Sequence, residues 1–426
     1  FSKDRIAPML RDTPALRGLV RDARSRDSGN TLLQKALSIH TPLPTPSGWT
    51  TMGEIKVGDF VFDEKGQPSR VTYVTPIVVG RPCYSVEFSD GATIIADDDH
   101  PWWVQRWKVV KSGGKARQTI VDEVVTTRHL RETEVAAGRR RYSIPMPRPI
   151  ATDIAELPVD PYLLGAWLGD GLSHRAAIVA GLHDADDMES AIRACGVSSV
   201  RRINGGECPN SVTLALDVEP LEIDCTGRFQ RRSSGMRYEL GKLGILGTIG
   251  NPRKEIPACY LRASIGQRVA LLQGLMDTDG SITSVGWCVF SSSREQLASG
   301  VKELLSSLGI KFVANMVQPF AVVDGERRPG RMACRIEFMA PPDFDVFRLP
   351  RKLARQKECK PAGRGALRRR VVSVREVESV PVRCIAIESE SHVYLAGERM
   401  VPTHNTFPGG HLTLAGANSA ASLASR

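Results

Sequence analysis

Two stretches of one texture lie far apart in this chain, and whatever it folds into has to accommodate both. From residue 36 the sequence runs in short apolar-polar alternations broken by Gly, Asp and Pro, as in TPLPTPSGWTTMGEIKVGDFVFDEKGQPSRVTYVTPIVVGRPCYSVEFSDGATIIADDDH. Alternation of period two with turn residues every ~8–12 positions predicts short strands of an all-β unit. Residues 369–404 have the same texture in RVVSVREV, VRCIAIES and HVYLAG. The two stretches read as halves of one β-domain interrupted by something else. At 426 residues the chain exceeds one core and should divide into two or three domains.

The interruption, 151–350, mixes helix and strand. VDPYLLGAWLGDG and IGQRVALLQGLMDTDG are similar apolar helical runs closed by Asp-Gly, their last aspartates Asp170 and Asp279 separated by 279 − 170 = 109 positions. Each is followed by strand-like sequence and a further helix such as SREQLASGVKELLSSLGI, an internal repeat at domain scale. A helix that ends in Asp places a carboxylate where the dipole disfavours negative charge. Metal binding is one reason to keep it there. Helices packed through the small residues Gly165 and Gly274 would bring Asp170 and Asp279 together around Mg²⁺, an arrangement suited to phosphodiester hydrolysis. A pair of plain Asp-Gly helix caps is the alternative.

Composition narrows the setting. The formal charge of +10 favours nucleic acid mildly, with basic runs at 138–148 (GRRRYSIPMPR) and 351–370 (RKLARQKECKPAGRGALRRR), which solvated linkers would also explain. Nine cysteines without a CxxC pair argue against a disulfide framework or a thiolate zinc site, and for a reducing compartment. No run of ~18 apolar residues is present and the first residues are charged, so a soluble cytoplasmic protein is expected, with no membrane partner. The chain lacks a starting Met and reads as a fragment.

MVPTHNT, residues 400–406, carries the other chemistry. Asn is one of the few side chains able to attack its own backbone carbonyl, and an adjacent His can assist departure of the amide. An Asx-type turn would use the same residues.

The paired helical runs resemble the LAGLIDADG homing endonucleases, LLGAWLGDG (163–171) loosely and LQGLMDTDG (272–280) closely. The resemblance implies two pseudo-symmetric αββαββα halves laying β-saddles in the major groove of double-stranded DNA. It also implies Asp170 and Asp279 as Mg²⁺ ligands, and Lys254 in RKEIP near the scissile phosphates. Leu168 and Gly169 depart from the pattern, which often has Asp-Ala there.

The flanking halves are similar to the intein splicing fold, a Hint-type, horseshoe-like, mainly β domain. GATIIADDDHPWW matches its N-terminal histidine motif and VRCIAIESESHVYLAGERMVPTHN its C-terminal motifs, with His100, His404, Asn405 and Thr406 in register. Most inteins begin with Cys or Ser; here the first residue is Ala36, whose methyl cannot attack. Class 3 inteins lack that nucleophile and carry a Trp, Cys, Thr set, which Trp102, Cys384 and Thr403 match.

The resemblance implies a sequence of steps. Cys384 attacks the Lys35 carbonyl, His100 polarises or protonates the scissile amide, Thr406 takes the acyl group, and Asn405 cyclises with His404 assisting. Residues 36–405 (405 − 36 + 1 = 370) would leave as a monomer, joining Lys35 to Thr406 without any cofactor. The expected division is 1–35 and 406–426 as flanks, 36–150 and 351–405 as the splicing halves, and 151–350 as the endonuclease, acting on the host allele that lacks the insertion. Joined, the flanks resemble phage terminase large subunits of the GpA type. Three rivals remain: a class 1 intein inactivated by alanine at 36, a DNA-binding endonuclease that does not splice, and a self-cleaving Hint domain without ligation.

Overall fold

The computed structural model describes residues 35–405 except for short segments at 113–114, 138–141, 205–209, 217–221, 224–228, 231–234, 249–252, 324–325, 360–362 and 364. The flanks, Thr406 among them, lie outside the described residues.

An eight-stranded sheet joins the two β stretches. Its order is Val382–Arg383, Leu37–Ser38, Thr93–Asp97, Cys83–Phe88, Arg368–Val377, Tyr142–Pro145, Pro101–Ser112 and Lys115–Thr126. The strand Arg368–Val377 therefore enters the middle of the sheet, antiparallel to Cys83–Phe88 on one side and Tyr142–Pro145 on the other. Ile385–Ile387 likewise pairs with Pro68–Val74, and Val393–Ala396 with Val401–His404. One core binds the halves, with Leu43, Val61, Val86 and Trp102 packed among Val371, Ile385, Tyr394 and Val401. The inward residues alternate along each strand, as half-buried strands require.

The insert is built around two helices, Pro161–Asp170 and Ile265–Thr278. The first starts where Asp160 accepts hydrogen bonds from the Tyr162 and Leu163 amides, with Pro161 at the first helical position. The second starts on a capping box of Ser264 and Gln267. Both are apolar nearly all round, the signature of helices buried on every side. They meet backbone to backbone. A methyl group on Gly165 would stand 2.2 Å from the Leu271 carbonyl oxygen, and one on Gly274 would stand 2.1 Å from that of Tyr162.

Beyond the second helix the order is Gly280–Ile282, Trp287–Ser292, helix Glu295–Ser307, Phe312–Val317, Ala333–Met339 and helix Pro350–Glu358. These strands form one sheet, and the sequence of elements is αββαββα. After the first helix the same order returns with Ala177–Gly181, helix Ala185–Ala194, Arg201–Asn204, Ser211–Ala215 and helix Met236–Lys242, its opening strand shortened to a bridge between Gly171 and Ile178. The architecture is thus a mainly β domain split by an α+β domain of two related halves. The final helix of the insert runs past 350 because Lys352 is anchored under the second motif helix.

Candidate functional site

One centre forms where the two β halves meet. Leu37 pairs with Arg383 on one side and with Ala96 on the other, so continuing each register by one residue sets Ala36 opposite Cys384 and Asp97. Directly opposed antiparallel residues share a face. Ala36 (3% exposed) and Cys384 (1%) accordingly pack in one small apolar cluster with Cys83 and Val382. Thr75 clamps the Cys384 backbone, its hydroxyl accepting from the Cys384 amide at 3.0 Å while its own amide donates to the Cys384 carbonyl at 3.0 Å.

The nitrogen of the Lys35–Ala36 peptide is held by a carboxylate. Ala36 N–H donates to Asp97 Oδ1 at 3.1 Å, and Asp97 N–H returns a bond of 2.9 Å to the Ala36 carbonyl. Burial pushes the Asp97 carboxyl up to about 7, opposed by the Ala36 hydrogen bond and by Arg81, whose Nε lies 3.0 Å from Oδ2.

His100 is engaged through one ring nitrogen, its buried Nδ1 having no hydrogen-bond partner among the described residues. Its Nε2 lies 2.6 Å from Thr403 Oγ1, and its ring stands edge-on to Trp102 with centroids 4.9 Å apart. Trp102 Nε1 donates to Thr127 Oγ1 at 3.0 Å, and the Thr127 amide bonds the His100 carbonyl. Burial, then the neighbouring His404, lowers His100 to about 3, so the ring is neutral at physiological pH. Trp102, His100 and Thr403 thereby form one packed line.

At the other junction His404 Nδ1 hydrogen-bonds the Asn405 carbonyl oxygen, the oxygen of the peptide that leads to Thr406. Burial lowers His404 to about 4, which keeps the ring neutral and the Nδ1 proton available to polarise that carbonyl. Asn405 is fixed by His392, whose carbonyl accepts from the Asn405 backbone at 2.6 Å and, with the amide turned to satisfy both ends, from its side-chain nitrogen at 3.1 Å. The amide oxygen then accepts from Ile387 N at 2.8 Å. His392 adopts φ 56°, a costly conformation for a residue with a Cβ.

The second centre lies at the ends of the two motif helices. Asp170 and Asp279 lie close enough for each to act on the other's ionisation. Burial raises both, and Asp279 reaches about 6 with Asp170 adding to the rise. Lys254 is buried beside them, donating to the Gly169 carbonyl at 2.6 Å over the Trp167 ring, and burial brings its ammonium down to about 8. Lys352 does the same for the second helix, donating to the carbonyls of Met276, Asp277 and Gly280 at 3.0, 2.7 and 2.6 Å. A cleft of about 680 Å³ opens alongside, lined by Asp170, Asp184, Thr278, Lys352 and Glu358.

Two buried carboxylates at the ends of the paired helices, both raised by burial and Asp279 further by Asp170, fit a divalent cation, which would offset their burial with hard oxygen ligation. Among the described residues no group of three or more His, Cys, Asp or Glu side chains forms a complete protein cage. Nor is any described helix long and apolar enough to cross a membrane.

Residues 266–312 match the LAGLIDADG-like domain family. Over 384 residues the chain is 35% identical to the replicative DNA helicase DnaB of Mycobacterium intracellulare, a match covering 87% of this chain and 58% of that protein. The chain therefore spans less than two thirds of that relative. Among solved structures, the Msm DnaB1 intein splicing domain bound with zinc aligns with 87% of this chain and 100% of its own, at 18% identity and TM-score 0.27. The endonuclease I-DmoI, in complex with DNA and Ca, aligns with 47% of this chain and 97% of its own, at 15% identity and TM-score 0.26. The curated relative is a replicative helicase, so the expectation of a phage terminase around the insertion finds no support in it.

Asp97, Thr127, His392 and Lys352 were not singled out from sequence. Lys352 had a visible signal, since Pro-Arg-Lys occurs at 252–254 and again at 350–352.

Proposed function

We propose that residues 36–405 are a self-splicing intein of the class 3 type, with a LAGLIDADG homing endonuclease nested in it. The observation that carries this reading is the burial of Cys384 and Ala36 in one cluster, each next to a residue of the Leu37–Arg383 strand pair, at the chain's own candidate junction. An alanine there supplies no nucleophile, and the neighbouring strand supplies a thiol.

In this reading the Cys384 sulfur attacks the Lys35 carbonyl, and residues 1–35 pass to sulfur as a thioester. Trp102 and Thr403 hold His100 neutral against the centre. Thr406 then takes the acyl group. Asn405 cyclises while His404 polarises its carbonyl, and the ester rearranges to a Lys35–Thr406 peptide. Splicing needs no cofactor, and the flanks are its substrate. The insert hydrolyses double-stranded DNA at the host allele that lacks the insertion, as a monomer in the cytoplasm. Asp170 and Asp279 would hold Mg²⁺, which supplies Lewis acidity to the phosphate, while Lys254 and Lys352 fix the helix ends that carry both carboxylates.

Intact mass measurement on the expressed chain tests the reading. Release of a 370-residue fragment with a ligated product of 35 + 21 = 56 residues is expected. Cys384→Ala should stop cleavage at Ala36 and leave cleavage at Asn405. Normal splicing by that variant would refute the class 3 route, and rescue of an inert chain by Ala36→Cys would mark it as an inactivated class 1 intein.

A further inference from the structure

We infer that Asp97 is a catalytic acid of the first cleavage, giving its proton to the Ala36 nitrogen as the Lys35–Ala36 bond breaks. This rests on the splicing reading above and adds to it the group that lets the amine depart.

The geometry is specific to that nitrogen. Asp97 Oδ1 accepts from Ala36 N–H at 3.1 Å, the contact that places a carboxyl oxygen on the atom needing a proton. The backbones on either side are locked, by Asp97 N to Ala36 O at 2.9 Å and by Thr75 on Cys384. Cys83 also pairs with Asp97, and continuing the Leu37 registers by one residue sets Ala36 between Asp97 and Cys384 at the ends of their strands. Opposed residues share a face, which sets Cys384 and Asp97 on the two sides of Ala36. His100 Nε2 is meanwhile engaged with Thr403.

An amide leaves poorly as an anion, so protonation of nitrogen has to accompany C–N cleavage. In the step proposed, the Cys384 thiolate forms the S–C bond to the Lys35 carbonyl carbon and the C–N bond breaks. The proton on Asp97 passes to the departing nitrogen. The products are a thioester on Cys384, a neutral amine at Ala36 and an Asp97 carboxylate beside Arg81. The thiol proton lost on forming the thiolate equals the one taken up by Asp97, so no outside reagent enters. The reacting state holds one proton between the two groups.

Charged and titratable groups facing Asp97 are Arg81 at 3.0 Å, Asp98 and Asp99 along the chain, Cys83 paired with it, and Cys384 on the far side of Ala36. Arg81 lowers the Asp97 carboxyl and burial raises it to about 7. The one-proton state is therefore lost as pH falls through about 7, where the Asp97 carboxylate takes up a second proton.

The test uses the full chain, following release of residues 1–35 by hydroxylamine, which captures the thioester. Asp97→Asn keeps the shape and removes the proton; the release should slow by ~10²-fold or more, and the acid limb near pH 7 should vanish. Cleavage at Asn405 serves as the folding control. In Arg81→Gln the acid limb should move to higher pH, a readout that stands even where Asp97→Asn fails to fold. Release by Asp97→Asn within threefold of the parent, or an unmoved limb in Arg81→Gln, overturns the assignment. Failure here with Cys384→Ala still blocked refutes only Asp97, whereas splicing by Cys384→Ala refutes the reading beneath it.

Discussion

Gly274→Ala should disable the insert and spare the splicing centre. A β-carbon at 274 would sit 2.1 Å from the Tyr162 carbonyl oxygen and 2.6 Å from the Ala166 nitrogen, where ordinary contact begins at 3.4 Å. Both obstacles are backbone of the facing helix, so no side chain can swing aside. Relief needs the helices to part by 3.4 − 2.1 = 1.3 Å along that direction. Overpacking of this kind costs about 3 kcal/mol, from which alanine's better helix propensity recovers about 1, leaving a loss of about 2 kcal/mol. Asp170 and Asp279 sit at the ends of those same helices and would separate with them. A displacement on the order of 1 Å in a catalytic pair costs ~10²-fold in rate. The assay is cleavage of a plasmid carrying the joined Lys35–Thr406 coding sequence, beside mass measurement of splicing. Gly266→Ala is the matched control, since its β-carbon in the same helix meets open space. Parental cleavage by Gly274→Ala would refute the claim that backbone contact sets the carboxylate spacing.

Two further outcomes follow from the titrating groups. His404 is lowered to about 4, so its charge does not change between pH 7 and 5 and cleavage at Asn405 should show no break there; a break near 6.5, the value of an ordinary histidine, would refute this. Asp170→Asn removes a carboxylate that is itself raised by burial and that raises Asp279, so the metal-free protein should melt at higher temperature while DNA cleavage is lost. A lower melting temperature in metal-free buffer would show that the pair is not a strained one.

The division into a split β-domain and a repeated insert was legible because each rests on periodicity, which survives any distance along the chain. Cys384 could be named because its register follows a motif, and the sheet sets it opposite Ala36. Asp97 could not, because Asp97, Asp98 and Asp99 run together and only strand pairing decides which carboxylate turns toward the junction. Asp98 and Asp99 are instead engaged with Arg128 and Arg81. His392 escaped notice because its contribution is made by a backbone carbonyl at positive φ, and no side-chain pattern reports that. Lys352 lies 352 − 279 = 73 residues after the aspartate whose helix it anchors, a pairing that only the pseudo-symmetry of the two halves makes visible. The first half's opening strand shrank to a single bridge, and the sequence there gives no alternation that would have said so.

The strand that enters the middle of the large sheet also sets a clock. A ribosome delivers the chain from residue 1 onward, so Leu37–Ser38 emerges long before its neighbour Val382–Arg383 exists. The interval is 383 − 36 = 347 residues, which at ~5–20 residues per second is about 17–70 s. Until then the sheet has a gap at Arg368–Val377 and Ala36 lacks Cys384 beside it. On the Cys384 route proposed above, the order of synthesis would keep the upstream flank attached until the insert has had time to fold, without any inhibitor or signal.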